Sequence, residues 1–170
     1  MPKKFEKEFI SYCENQNLEV NPNQIKVIKK LEDYHNSNYK SFFSKLFSKQ
    51  KTKKGFYLYG GVGVGKTMIL NFFYDHLEEK KLKKHFNEFM LGFHDFVHEQ
   101  KEKNEENVIN QFVKNLKSKA SLVYFDEFQV TNIVDAMILG KLFEQIFKED
   151  IKIILTSNTK ISELYKEGLQ

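Results

Sequence analysis

GGVGVGKT, residues Gly60 to Thr67, is the stretch from which the rest of the chain is read. It satisfies G-x-x-x-x-G-K-[ST], a loop whose backbone N–H groups turn inward around phosphate oxygens. Gly60, Gly61, Gly63 and Gly65 leave the backbone free to wrap. A helix opening after the loop would aim its positive end at the same anion. Lys66 is the expected contact to the β- and γ-phosphates, and the Thr67 hydroxyl the expected Mg²⁺ ligand. Val62, Val64 and Met68 belong to the same cofactor-binding stretch. With glycine at roughly 7% of residues, a chance match arises in about one chain of this length in a hundred. The flanking pattern of strand before and helix after makes a bare glycine turn the weaker explanation.

Further along, Leu122-Val123-Tyr124-Phe125 is an unbroken apolar run followed by Asp126 and Glu127. Such a run suits a strand buried on both faces of a parallel sheet. Asp126 is the expected magnesium acid. Glu127, on the opposite side of the strand end, is the expected general base for an attacking water. Asn158 closes another apolar run, Ile151 to Leu155 with Thr156-Ser157. Its carboxamide is placed to orient that water or touch the γ-phosphate. A turn-forming role is the bland alternative.

Between these motifs the pattern alternates strand and helix. Phe56 to Tyr59 reads as the first strand and Lys66 to about Leu82 as a helix. His85 to Met90 reads as a second strand. Phe93, Phe96 and Val97 have helical spacing, KEKNEEN (101–107) reads as a solvated turn, and Val108 to Leu116 as a helix. Ala136 to Phe147 is a helix, and Ser162 is the expected cap of a short one over Glu163 to Lys166. Four strands separated by helices imply parallel crossovers and a three-layer α/β/α fold. Ligands of such sheets bind beyond the carboxyl ends of the strands. The glycine loop, the acidic pair and Asn158 all fall there. Upstream, residues 1–54 read as a helical, lysine-rich segment preceding a core over 55–170. Asn21-Pro22-Asn23 breaks it before a helix carrying Ile25, Val27, Ile28, Leu31 and Tyr34. A second short helix and a lysine loop are expected over 35–54.

The 170 residues suffice for one hydrophobic core, and the 17 phenylalanines should dominate it. No apolar run reaches the roughly 18 residues a membrane-spanning helix needs. The opening MPKKFEKEFISYCENQ has early glutamates and no apolar stretch of leader type, so it is not expected to be a leader. A single cysteine, Cys13, excludes an internal disulfide and fits a reducing cytoplasm. The net charge of +4 is too mild to indicate nucleic acid. Lysines 80–84 lack interleaved aromatics and read as a solvated face. His94 and His98 stand at i, i+4 beside Asp95, but no further ligand follows at metal spacing, which favours packing or surface roles. All 27 positive residues are lysine; the chain has no arginine.

GGVGVGKTMIL, HFNEFM, VYFDEFQVTNIVDAMILGKLFEQIF and TSN…LYKEGLQ together resemble the ZapE family of AAA+ ATPases, with bacterial cell-division members and mitochondrial relatives. FDEFQVTNIVDAMIL is the most specific part, and the likeness runs from about Gly55 to Gln170. It implies a P-loop NTPase of AAA+ type, with an extra strand between the P-loop strand and the acidic strand. ATP and Mg²⁺ are the implied ligands. Lys66 and Thr67 match the Walker A residues, Asp126 and Glu127 the Walker B acid and hydrolytic base, and Asn158 the sensor. The family implies an ATPase acting on a protein partner in division or membrane-associated machinery, able to form homo-oligomers. Its setting would be the cytoplasm, at the inner membrane's periphery.

The chain departs from that pattern after the fourth strand, where it is expected to be truncated. A fifth strand and later arginine-bearing elements are missing from it, and Ile161 stands near a usual proline. The first strand is therefore expected at an edge of the sheet, and hydrolysis is expected to be slow. A nucleotide switch or adaptor with little hydrolysis, and a helicase-loader-like P-loop ATPase, are the competing readings.

Overall fold

Residues 4–38, 54–100, 104–130 and 133–164 are described by a computed structural model. At its centre lies β3 (Leu122–Asp126), in which every residue is buried. This is what an apolar strand with neighbours on both edges and helices on both faces requires. It pairs in parallel with β4 (Lys152–Ser157) on one side and β2 (Lys81–His85) on the other. β1 (Gly55–Tyr59) pairs with β4, giving the order β1-β4-β3-β2. The glycine-loop strand and the acidic strand are thus separated by one strand, as the resemblance implied. β1 lies at an edge, with β4 its only neighbour among the described residues.

Alternation along the strands divides the core in two. Val123, Phe125, Ile153 and Leu155 face α4 (Phe86–Glu99), α5 (Glu105–Lys119) and α6 (Ile133–Lys148). Phenylalanines fill this side: Phe125 stands 4.5 Å, centroid to centroid, from Phe89 and 5.8 Å from Phe86. Leu122, Tyr124 and Ile154 face α3 (Lys66–Asp75) and two earlier helices, α1 (Lys4–Asn15) and α2 (Pro22–Asn38). Phe9 and Cys13 of α1 and Ile28 and Leu31 of α2 are wholly buried there. The two helices of residues 4–38 therefore share the core of the sheet.

Two boundaries differ from the sequence reading. α3 ends at Asp75 instead of Leu82, and the second strand is Lys81–His85 instead of His85–Met90. Leu77 is buried and keeps helical spacing, which hid the end of α3. Its last carbonyls are taken by side chains. His76 Nδ1 lies 2.7 Å from Phe72 O, and Lys81 Nζ donates to Tyr74 O at 2.5 Å and, just past the helix, to Leu77 O at 2.7 Å. Lys81 thus supplies both a donor and a positive charge where the helix dipole is negative. Among the described residues β2 is an edge strand, and lysines at an edge discourage pairing with another chain. Its polar sequence conceals it, while Phe86, Phe89, Met90 and Phe93 form the buried helical stripe of α4.

The lysines of 80–84 are accordingly more than a solvated face. Lys83 Nζ donates to Asn71 Oδ1 at 2.6 Å and stands 5.2 Å over the Tyr124 ring. KEKNEEN is not wholly a turn, because α5 opens at Glu105. The Asn104 side chain accepts from Glu106 N at 3.0 Å as its cap, and Glu105 and Glu106 occupy the first turn. Ser162 lies inside a 3-10 turn, Ile161–Glu163, whose capping residue Lys160 makes no side-chain cap bond. Leu164 already leaves the turn, and residues 165–166 of that expected helix, with residues 39–53 of the expected short helix and lysine loop, lie outside the described residues.

Candidate functional site

Parallel register brings the carboxyl ends of all four strands to one rim. Tyr59 is level with Ser157, and His85 with Asp126. The chain beyond each strand is where the polar motifs sit. Gly60 continues β1 and donates its N–H to Ser157 O at 3.2 Å, which pins the start of the loop to β4. Gly63 and Gly65 have φ of 81° and 85°, a left-handed backbone that a side chain would strain. Gly65 is the residue on which the loop becomes α3.

Lys66, first residue of α3, folds back over the loop. Its ammonium donates to Gly60 O and Gly61 O, each at 2.8 Å, and to Asn158 Oδ1 at 2.9 Å. Three neutral acceptors hold the cation without neutralising it. An arriving anion therefore meets an undischarged ammonium, adjacent to the N–H groups at the start of α3.

Asp126 is buried, with 6% of its surface exposed. Its Oδ1 accepts from Thr156 Oγ1 and, at 3.1 Å, from Glu127 N. These bonds fix the carboxylate's rotamer at the end of β3. Glu127 has φ of 56°, left-handed for a non-glycine residue, and its N–H also points to Thr156 Oγ1 at 3.2 Å. That turn carries its side chain outward, where 76% is exposed and Oε2 lies 3.9 Å from His85 Nδ1. Backbone strain of this kind costs about 1–3 kcal/mol and concentrates at functional sites. The following peptide is anchored as well: Phe128 N donates to Thr156 O at 2.7 Å and Ser157 Oγ to Phe128 O at 2.8 Å. Tyr124, two residues before Asp126 on the same face, has its phenol pushed well above the usual range, by burial first and the Asp126 charge second.

A pocket of about 380 Å³ occupies this rim. Val62, Gly63, Gly65, Lys66, Thr67, Met68, Asp126, Glu127 and Asn158 line it, with Thr156 and Ser157. Of the other loop residues, Gly60 and Gly61 act through the carbonyls that hold Lys66, and Val64 O accepts from Gln24 Nε2 at 3.3 Å. Thr156, Ser157, His85 and Gln24 escape sequence reasoning. Thr156 and Ser157 had a signal, two hydroxyl residues ending a buried strand. Gln24 had none, since it reaches the loop only through packing of α2. Away from this rim, His94 Nε2 pairs with Asp135 Oδ1 at 2.7 Å, joining α4 to α6.

Two hard oxygen donors, the Thr67 hydroxyl and the fixed Asp126 carboxylate, share the pocket with the Lys66 cation. That donor set suits Mg²⁺ accompanying phosphate oxygens.

A model of the AFG1-like ATPase family matches residues 11–170. The chain is 39% identical over 148 residues to lactation elevated protein 1 homolog B of Danio rerio, a match covering 81% of this chain and 29% of that protein. It is 37% identical over 124 residues to the cell division protein ZapE of Escherichia coli K12, covering 72% of this chain and 32% of that one. The chain thus spans about a third of the length of the curated relatives it matches. Among solved structures, AMPPCP-bound DnaA from Aquifex aeolicus superposes with a TM-score of 0.58 at 17% identity, over 88% of this chain and 42% of that one. That likeness shows the fold and, taken with the match to the ATPase family, agrees with a P-loop NTPase of AAA+ type.

Proposed function

The chain belongs to the AFG1-like ATPase family, and from that premise we propose that the rim pocket binds Mg-ATP and hydrolyses it to act on a protein partner. The observation that supports this most is the Lys66 ammonium, held at 2.8–2.9 Å by Gly60 O, Gly61 O and Asn158 Oδ1 in the pocket that Asp126 also lines. A triphosphate tail would exchange the two carbonyls for phosphate oxygens, which bind an ammonium more strongly. The loop N–H groups from Val62 to Met68 would take the remaining oxygens. Thr67 and Asp126 would hold Mg²⁺, which when bound shields charge on the phosphates. Glu127 would accept the proton of the attacking water, and Asn158 would orient that water or the γ-phosphate. The partner is assigned to division or membrane-associated machinery by family likeness, with a cytoplasmic setting at the periphery of a membrane and homo-oligomers as a working form.

A second reading has its own support. Glu127 turns outward toward His85, and no arginine exists in these 170 residues to stabilise the transition state. Arginine fingers contribute roughly 10³–10⁵ in turnover. The chain would then act as a nucleotide-dependent switch with little hydrolysis. Turnover by Glu127→Gln separates the two. The ATPase reading expects a fall of about 10²–10⁴ with ATP affinity retained. Equal turnover by both proteins, with equal affinity, supports the switch.

A further inference from the structure

We propose that the groove bounded by β2, α4 and α5 holds a segment of the protein partner, seating one large apolar side chain with a lysine or arginine beside it. The inference deepens the partner half of the proposed function and rests on that half alone, not on nucleotide binding. The groove is a cavity of about 440 Å³, larger than the rim pocket and sharing no lining residue with it. Its size is that of a site for one large side chain and the backbone around it. The floor is apolar. Phe89 and Phe96 of α4 each bring a ring to 5.5 Å from that of Phe112 on α5, and Leu82 of β2 closes the third side. Phe89 is buried, but Phe96, Phe112 and Leu82 are only half-buried. Phe96 also lies outside both core clusters, so its ring lines the cavity without completing the core.

Gly92, in the middle of α4, keeps the cavity open. A Cβ built on it meets nothing within 4 Å, so no packed neighbour demands a glycine there. Glycine inside a helix is unfavourable relative to alanine, and the space it leaves is part of the cavity wall. The mouth is divided by sign. Asp95 and Glu99, one turn apart, make the α4 side acidic, while Lys84 stands on β2 and Lys119 on α5. All four are exposed, and their side chains have no ion pair or hydrogen bond among the described residues. The lysines have uses within the chain: Lys119 ends α5, where the helix dipole is negative, and Lys84 guards a sheet edge. The carboxylates have none. They repel each other at i, i+4 and lie toward the C-terminal end of α4, where negative charge is disfavoured. A cation beside them relieves both effects, and the aromatic floor adds its own attraction. A bare anion or an uncharged chain gains nothing from that wall. Adjacent residues of a polypeptide supply the apolar anchor and the cation together.

The test is fluorescence anisotropy at low salt, with the 170-residue chain and two labelled hexapeptides that place lysine before or after phenylalanine (GSKFSG and GSFKSG). At least one should bind, about tenfold more tightly than its counterparts with alanine for phenylalanine or glutamate for lysine. Gly92→Leu fills the mouth and substitutes a better helix former. It should melt no lower than wild type, bind Mg-ATP equally, and lose about tenfold or more in peptide affinity. Asp95→Asn combined with Glu99→Gln should erase the advantage of lysine over glutamate and spare that of phenylalanine over alanine. If Gly92→Leu does not melt cooperatively, this charge variant decides alone. Failure of both peptides to bind, unchanged affinity in a folded Gly92→Leu chain, or an undiminished lysine advantage in the charge variant overturns the proposal. So does self-association that Gly92→Leu abolishes while no peptide binds, which would give the groove to a second copy of the chain. Peptide binding without Mg-ATP binding would overturn the rim-pocket reading and leave this one standing.

Discussion

Lys66 and Asp126 are the two groups whose surroundings explain their availability. Lys66 is braced by neutral oxygens, so its charge is directed but not spent. Asp126 is buried yet bonded through one oxygen, from Thr156 and from the Glu127 amide. Asp126→Asn keeps that oxygen and removes the charge. The variant should melt within a few degrees of wild type, while the gain in ATP affinity on adding magnesium disappears. Retention of the full magnesium effect would remove Asp126 from its assigned role. This pair was legible in the sequence because a glycine loop and an acid after an apolar run have few other uses. Thr156, which orients Asp126, was legible only as a polar strand end. Gln24 was not legible at all, because its contact with Val64 depends on how α2 packs and not on any local pattern.

Elements were legible where one periodicity ruled. β3 has an apolar run with a single interpretation, and it forms the buried centre of the sheet. β2 has lysines where a buried strand would have apolar residues, since it is an edge; the neighbouring phenylalanines drew the expected strand into what is the first turn of α4. The two N-terminal helices contribute packing that composition alone did not reveal. Phe9 is wholly buried, 5.0 Å from the Phe72 ring of α3. Phe9→Ala should cost about 3–5 kcal/mol of unfolding free energy by chemical denaturation, where a loose appendage would give no change. α2 also carries a pH-sensitive group. Burial, opposed by the Glu79 charge, holds the His35 imidazole below its usual 6.5. Between that lowered value and 6.5 the unfolded chain takes up a proton that the folded chain refuses. Stability is therefore complete above about 6.5 and declines as pH falls through that window. His35→Phe should flatten the fall of unfolding free energy as pH drops below about 6.5; an unchanged slope would place the titration elsewhere.

At the scale of the molecule, strand order puts the glycine loop, the acidic pair and Asn158 on one rim, with β4 between the strands that carry the first two. No helix among the described residues is long and apolar enough to cross a membrane. With lysine as its only strongly basic residue, the chain has ammonium groups for phosphate and for helix ends, and no guanidinium for the transition state. Its turnover on its own should stay well below the roughly 1–100 per second of efficient phosphoryl-transfer enzymes, and a steady-state phosphate-release assay checks this. The most direct measurement is isothermal titration of Mg-ATP into the 170-residue chain and into Lys66→Ala. A saturating isotherm is expected for the first, and affinity reduced about tenfold or more in the second, the loss of one charge-assisted contact. Superimposable isotherms would contradict it.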